Sequence, residues 1–207
     1  MILTPIPYGQ LDAVLDRFAG RLDDSAARVA FARIRATSAE RAEGEVAESH
    51  RRQALAIARR CGMTIHPAGL RPAFNWDGTA LDGATEAYVI LHEAAHFVLA
   101  PPERRRLVDF GLGPGPDTAA RAAAERAATL PIVERDADEA AASLLGILWE
   151  AALGQPALAS FLDQNWLEGL GRSAAPHFTA VLRRLRELGV VDLPAGDQSQ
   201  PTMREMR

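Results

Sequence analysis

Positions 88–98 read Tyr-Val-Ile-Leu-His-Glu-Ala-Ala-His-Phe-Val, an apolar, helix-forming run that contains the pattern H-E-x-x-H. On an α-helix, His92 and His96 point to the same side, one turn apart, so their imidazoles can bind one metal ion. Glu93 lies on an adjacent stripe, within reach of a metal-bound water. A segment this apolar is mostly buried, and buried polar side chains need partners. The pattern therefore predicts a metal site on a buried helix.

A third ligand is expected from the acidic stretch that follows Pro131, and Glu134 is the best candidate. It begins a predicted helix over 132–153, whose apolar stripe includes Ala141 and Leu145, so Glu134 should lie near that stripe. Asp138, one turn later, can accept the free ring N–H of a ligand histidine and so fix its tautomer.

The alternative for these acidic residues is a solvated helix start, because carboxylates near a helix N-terminus interact favourably with the helix dipole. We prefer the ligand role for Glu134. For Asp136 and Glu139 we expect the solvated role.

Two histidines and one carboxylate leave the identity of the metal open. With Zn(II) the site would be hydrolytic, and Glu93 would be the general base. With Fe(II) it would be a facial triad whose open positions accept O₂ and substrate. A third possibility is a non-enzymatic binding module, stabilised by a metal that a fourth ligand closes off. The expected cofactor is one divalent metal ion, Fe(II) or Zn(II).

Several residues near the motif are weaker candidates. Asp109 could orient Arg105, Arg106 or a ligand histidine, and an Asx-turn in a loop is an equally good interpretation. Arg105 and Arg106 could bind an acidic substrate, although a solvated face is the preferred interpretation. Tyr88, one turn before His92, could donate a hydrogen bond in the pocket, but a core aromatic is favoured.

Composition is that of a globular chain, with 48% hydrophobic and 24% charged residues among 207. The net charge of −4 gives no reason to expect binding to nucleic acid or to an anionic membrane. Cys61 is the single cysteine, which fits a reducing compartment. No apolar run approaches the roughly 20 residues of a membrane span. We therefore expect a cytoplasmic location.

The predicted fold is mainly α with a small β element, formed by short strands at 63–66 and 73–76. We expect a single metal-binding domain over 1–193, with an N-terminal helical part over 1–62 and an H-E-x-x-H core over 63–193. The polar segment 194–207 is predicted to be a disordered tail. The core should pair the motif helix with the helix over 132–153.

The motif and its surroundings resemble one known family. Leu91 to Phe97, then Arg105-Arg106 and Asp109-Phe110-Gly111, are similar to the signature of the elongation factor P hydroxylases. Val133-Glu134 and Leu167-Glu168-Gly169 match later parts of that signature in the same order. The resemblance implies a non-haem iron protein that hydroxylates a modified lysine on a translation factor. It also implies that His92, His96 and Glu134 hold the metal.

A shorter resemblance supports an alternative. The E-x-x-x-D spacing of Glu134 and Asp138 is similar to that of thermolysin-like zinc peptidases, and the stretch before Ala141 looks like a helix of other zinc peptidases. This resemblance implies a zincin-like pairing of the H-E-x-x-H helix with a Glu-bearing helix. The alternative function is a zinc-dependent metallopeptidase, and in either case the substrate is a protein or peptide.

Overall fold

The structure of this chain is a computed structural model, which describes residues 8–70, 72–115, 118, 120–167 and 173–192. The described part is mainly helical, as predicted. Its α-helices are α1 (Leu11–Gly20), α2 (Ser25–Arg35), α3 (Gly44–Arg60), α4 (Ala87–Leu99), α5 (Arg121–Ala127), α6 (Ile132–Ala152), α7 (Ala157–Asp163) and α8 (Ala174–Glu187). Short 3-10 helices lie at Tyr8–Gln10, Arg104–Arg106 and Val108–Gly111.

The sequence predicts one long helix over 26–60, or two helices broken near Gly44, and the structure has two. Asp24 caps α2, because its Oδ1 accepts a hydrogen bond from the backbone N–H of Ala27 at 2.9 Å. Residues 36–43 separate the helices, and α3 begins at Gly44 with φ of 56°, a conformation that glycine adopts without strain. Helix α7 has no counterpart among the helices predicted from the sequence.

The two predicted strands are wrong as strands. In the described residues the β structure consists of isolated bridges, a parallel one between Ile65 and Leu81 and an antiparallel one between Trp76 and Leu81. Leu81 donates its backbone N–H to the Thr64 carbonyl at 2.9 Å, and its own carbonyl accepts from His66 N–H at 2.9 Å. The prolines and glycines between 67 and 78 interrupt longer ladders.

Two hydrophobic clusters meet at the pair α4 and α6. The first joins α1, α2, α6, α7 and α8 around a group of aromatic side chains that includes Phe18, Phe31, Phe161 and Phe178. The second joins α3 and α4 to Phe110 and to the residues that form the isolated bridges, 64–66 and 75–82, which we call the bridge segment. Helices α4 and α6 share the most extensive contact of any two elements described.

Helices α4 and α6 approach each other closely at Gly146. A Cβ atom built there would lie 3.3 Å from both the Cα and the backbone N of His92. A glycine in the helix interior costs roughly 1 kcal/mol relative to alanine, so its presence here indicates that close packing requires it. The predicted pairing of these two helices is therefore present, whereas the zincin-like class of that pairing stays a prediction.

The first 62 residues do not stand apart from the motif helix in the described structure, since α2 packs on α6 and α3 packs on α4. The single domain over 1–193 stays a prediction, and the tail over 194–207 lies outside the described residues. None of the described helices combines the length and apolar character needed to cross a membrane.

Candidate metal centre

Helix α4 presents the two histidines to a common point. The Nε2 atoms of His92 and His96 lie 3.0 Å apart, with the rings nearly perpendicular at 87°. His96 is buried, with 5% of its surface exposed, and its ring stacks on that of Phe110 at 5.5 Å between centroids. His92 is half-buried. The predicted disposition of both histidines on one face is thus observed.

The carboxylate that joins them is Glu139 of α6. Its Oε2 lies 3.4 Å from His92 Nε2 and 3.5 Å from His96 Nε2. Metal–ligand bonds of about 2.0–2.2 Å place neighbouring ligand atoms roughly 3.0–3.4 Å apart in octahedral or tetrahedral geometry. The donor set and its spacing therefore fit one divalent metal ion. Among the described residues, His92, His96 and Glu139 form the group of possible ligands whose atoms lie close enough together to hold a metal ion.

The charges of the three side chains support each other. Burial opposes ionisation of Glu139, but the neighbouring histidines hold its pKa well below the usual range. Burial also disfavours the charged form of His92, and contact with Glu139 outweighs it, so the pKa of His92 is raised. A cation that enters the site would therefore meet one anionic carboxylate, that of Glu139, and two imidazoles.

The structure does not bring Glu134, the predicted third ligand, to the two histidines. Glu134 is exposed on the first turn of α6, and five residues separate it from Glu139, a rotation of about 140° around the helix. The solvated role expected for Glu139 describes its exposure but leaves out its contact with the histidines. Its side chain is 49% exposed, yet its carboxylate faces the two histidines.

Asp138 does not accept a hydrogen bond from a ligand histidine in the structure, contrary to prediction. Its carboxylate binds the guanidinium groups of Arg104 and Arg184 instead. The cause is geometric, because consecutive helix residues point about 100° apart, and Glu139 already occupies the direction of α4.

A signal for Glu139 does exist in the sequence. Glu139 and Gly146 are seven residues apart, so they share one stripe of α6. A glycine inside a long helix marks a close approach of another backbone, and that backbone here belongs to His92. The stripe through Gly146, rather than the most apolar stripe, is therefore the one that faces the histidines.

Glu93 lies in the same pocket, as expected for a group that handles protons. It is buried, and its Oε1 accepts a hydrogen bond from the side-chain amide of Asn75 at 3.3 Å. Burial raises the pKa of Glu93, against the opposing influence of His96 and His92. Asn75 was not identified from the sequence, because it precedes the motif by 17 positions (92 − 75) in a loop.

Asp109 and Phe110 form a wall of the pocket through an unusual backbone. With Gly111 they make three consecutive residues of positive φ, 43°, 53° and 70°. For non-glycine residues this conformation costs roughly 1–2 kcal/mol each, and such strain clusters at functional sites. The turn places Phe110 between Trp76 and His96, stacked on both.

Asp109 does not orient Arg105, Arg106 or a ligand histidine through any hydrogen bond that the structure describes. Its Oδ2 accepts from the Thr118 hydroxyl at 3.0 Å, and its backbone N–H binds the Trp76 carbonyl. Burial, and then the charge of Glu93, raise the pKa of Asp109 to about 6. It lines the pocket directly.

The three residues predicted as weak substrate-binding candidates lie in different places in the structure. Tyr88 is half-buried and lines the pocket, with the guanidinium of Arg41 3.8 Å from its ring centroid, so it is not a core aromatic. Arg105 instead binds backbone carbonyls at the end of α4, and Arg106 is exposed. Neither arginine lines the pocket.

The pocket is a cavity of about 940 Å³ between α4, α6 and the loops on either side. Carboxylates outnumber arginines in its lining: Glu93, Asp109, Glu125, Asp136, Glu139 and Asp163 against Arg121 and Arg135. The volume suffices for a large ligand or a protein side chain with its flanking backbone. The surplus of carboxylates favours a cationic group.

Comparisons with known proteins add no assignment to this geometry. No family model, curated protein or solved structure matches the chain. The class of site therefore rests on its donor atoms and on the pocket around them.

Proposed function

We propose that this protein is a mononuclear metalloenzyme. His92, His96 and Glu139 hold one divalent metal ion, and Glu93 carries a proton beside it. The observation behind this proposal is the convergence of three donor atoms, 3.0 to 3.5 Å apart, on the wall of a large cavity. Structural metal sites usually close with four protein ligands, and in the described residues the group has three. The open positions are those that a substrate needs.

The reaction that we favour is hydroxylation of a protein or peptide side chain, with Fe(II) as the metal. The residues that resemble the elongation factor P hydroxylases support it, because Asp109 and Phe110 line the same cavity as the H-E-x-x-H motif. Fe(II), when bound, supplies the activation of O₂, of which one atom enters a C–H bond and the other leaves as water, with two electrons from an external reductant. A translation factor is the candidate substrate, and the acidic lining suits a cationic side chain.

The chain's own groups have definite tasks in this proposal. Burial raises the pKa of Glu93, so this carboxylate holds a proton more readily than an exposed glutamate does. Asn75 fixes one oxygen of that carboxylate. Phe110 covers one face of the His96 ring and excludes water from it. Not every residue of the resemblance contributes, since Val133 and Glu134 are exposed and Glu168 lies outside the described residues.

The second candidate is a zinc-dependent metallopeptidase. The position of Glu93 favours it, because a buried carboxylate next to the two histidines is where a general base must be to take the proton of an attacking water. Glu93→Gln should abolish peptide cleavage and leave the metal bound. Peptide cleavage that survives in Glu93→Gln would eliminate this candidate.

The first experiment is elemental analysis of untagged protein purified without oxygen, on the natural chain, Glu139→Ala and Glu134→Ala. We expect stoichiometric metal in the natural chain and in Glu134→Ala, and its loss in Glu139→Ala. Glu134 is the matched control, because it removes the same carboxylate from the exposed side of the same helix. Equal metal content in all three proteins would overturn the proposed ligand set.

The identity of the metal then separates the two reactions. Stoichiometric iron supports the hydroxylase, and the next measurement is oxygen consumption with candidate protein substrates. Stoichiometric zinc supports the peptidase, and the next measurement is cleavage of a peptide library.

A further inference from the structure

Two consecutive arginines connect the ligand-bearing helices α4 and α6 through side-chain contacts. Both arginines lie outside these two helices. Arg104 and Arg105 lie in the 3-10 helix Arg104–Arg106, which starts five residues after α4 ends. Both side chains turn inward to protein partners, although the sequence favoured a solvated face for this basic run. One arginine contacts α4 and the other contacts α6, so the pair spans the metal centre.

Arg105 holds the end of α4. Its Nε donates to the Ala100 carbonyl at 2.9 Å, and its Nη2 donates to the Val98 carbonyl at 3.4 Å. The last carbonyls of a helix have no partner within the helix, so a guanidinium satisfies them and complements the helix dipole. His96 lies two and four residues before these carbonyls, so a shift of the helix end would also move His96.

Arg104 holds the beginning of α6. Its Nη2 binds Asp138 Oδ2, and Arg184 of α8 binds Asp138 Oδ1 at 3.1 Å. The side chains of Arg104 and Asp138 are only 13% and 14% exposed, so the loss of either partner leaves a largely buried charge without its counter-charge. Asp138 directly precedes the ligand Glu139.

The start of α6 is held by polar contacts more than by apolar burial, and these include bonds from Arg135 to the Leu130 carbonyl and from Arg184 to the Ala137 carbonyl. Ile132 and Val133 are 71% and 77% exposed, and the N-cap residue Pro131 makes no side-chain cap. The first well-buried residue of α6 is Ala141, after Glu139. The bonds from Arg104 and Arg184 to Asp138 are therefore contacts that anchor the ligand-bearing turn.

We propose that Arg104, Arg105 and Asp138 are positioning residues that set the distance between Glu139 and the two histidines. This inference rests on the metal site proposed above. Partners of this kind commonly change metal affinity by 10- to 100-fold. The network acts on metal affinity through Glu139 and on the spectrum of a bound metal through its geometry.

The test is a titration of the metal-free full chain with Co(II), followed by visible absorption. The variants are Asp138→Asn and Arg104→Gln, and the unfolding midpoint of each metal-free protein is measured by circular dichroism. The matched control is Asp16→Asn, which removes an aspartate–arginine pair between α1 and α2 away from the cavity. We expect Co(II) affinity to fall 10- to 100-fold in both variants, with an altered spectrum, and to stay unchanged in the control.

Natural affinity and spectrum in both variants would overturn the inference, and so would an equal loss in the control. If Arg104→Gln does not fold, Arg104→Lys replaces it, since lysine keeps the charge without the planar fork that binds Asp138. The same outcomes decide for that variant. Failure of the natural chain to bind Co(II) would overturn the metal site itself, and this inference with it.

Discussion

Helices α4 and α6 both supply ligands to the candidate metal centre, and they do so in opposite ways. In α4 two ligands lie one turn apart on a helix whose neighbouring side chains are buried. In α6 a single ligand lies in a first part that is largely exposed, and burial begins only two residues later. Local spacing therefore defines the contribution of α4, whereas tertiary packing defines that of α6. A motif within one helix can be recognised from sequence, but a ligand from a second helix depends on which stripe faces the first.

The largest effects should come from the two hydrophobic clusters against which these helices pack. Leu91 of α4 and Leu145 of α6 are fully buried, in the second and first hydrophobic clusters respectively. We expect Leu91→Ala and Leu145→Ala each to lower the free energy of unfolding by roughly 2–5 kcal/mol, because each leaves a cavity. Urea unfolding of the metal-free protein measures this.

The control for these variants is Leu188→Ala, at a leucine that is 54% exposed, where we expect a change near zero. A cost below roughly 1 kcal/mol for Leu91→Ala would mean that α4 is not anchored as the structure shows.

The next effect concerns the contact between the helices. Gly146→Leu places a side chain where a Cβ would already lie 3.3 Å from the His92 backbone. We expect a loss of roughly 1–3 kcal/mol in unfolding free energy together with weaker metal binding, because the helices must separate. Gly20→Leu is the control, since a Cβ there meets nothing within 4 Å. Unchanged metal affinity in Gly146→Leu would show that Glu139 does not depend on this contact.

These residues show how much of the fold and of the candidate site could be predicted from the sequence. The existence of most helices, the break before Gly44 and the shared face of His92 and His96 followed from periodicity, caps and spacing. Glu134 was chosen because it lies on the stripe of Ala141 and Leu145. That stripe packs into the first hydrophobic cluster, however, whereas Glu139 and Gly146 lie on the stripe that faces His92. Apolar periodicity shows that a helix face is buried, but it does not show which neighbour covers it.

The bridge segment and the pocket wall could not be predicted from the sequence, and the reason is a different one. The left-handed turn at Asp109 and Phe110 is disfavoured locally, and it persists because Phe110 stacks between Trp76 and His96. Those rings are distant in sequence. Local preference cannot predict a conformation that only tertiary contacts maintain.

A third, smaller effect lies at the far end of α6. Glu150 is 2% exposed, with Arg41 Nη1 at 3.7 Å from its Oε1, while its Oε2 has no hydrogen-bond partner among the described residues. Burial raises the pKa of Glu150 to about 7, despite Ser160 and Arg41, from an ordinary value of 4.5. Because the folded state binds this proton more tightly than the unfolded state, stability falls as the pH rises from 4.5 to 7.

Glu150→Gln removes that titration. We expect the variant to match the natural chain in unfolding free energy at pH 4.5 and to exceed it at pH 8 by roughly 1–2 kcal/mol, since the lost contact with Arg41 offsets part of the gain. Urea unfolding of metal-free protein at the two pH values measures the difference. Equal or lower stability of the variant at pH 8 would contradict the burial of a charged Glu150.

The smallest effect is expected at the position that the sequence favoured as ligand. Glu134 lies in the first turn of α6, where its carboxylate is exposed and interacts with the helix dipole. We expect Glu134→Gln to lower the free energy of unfolding by about 0.3–0.5 kcal/mol at low salt, with the effect fading as salt is added. Metal affinity should not change. A tenfold or greater loss of Co(II) affinity in Glu134→Gln would restore this residue as a ligand and imply that α6 turns by about 140° when the metal binds. The metal, and not the close contact at Gly146, would then determine which stripe of α6 faces α4.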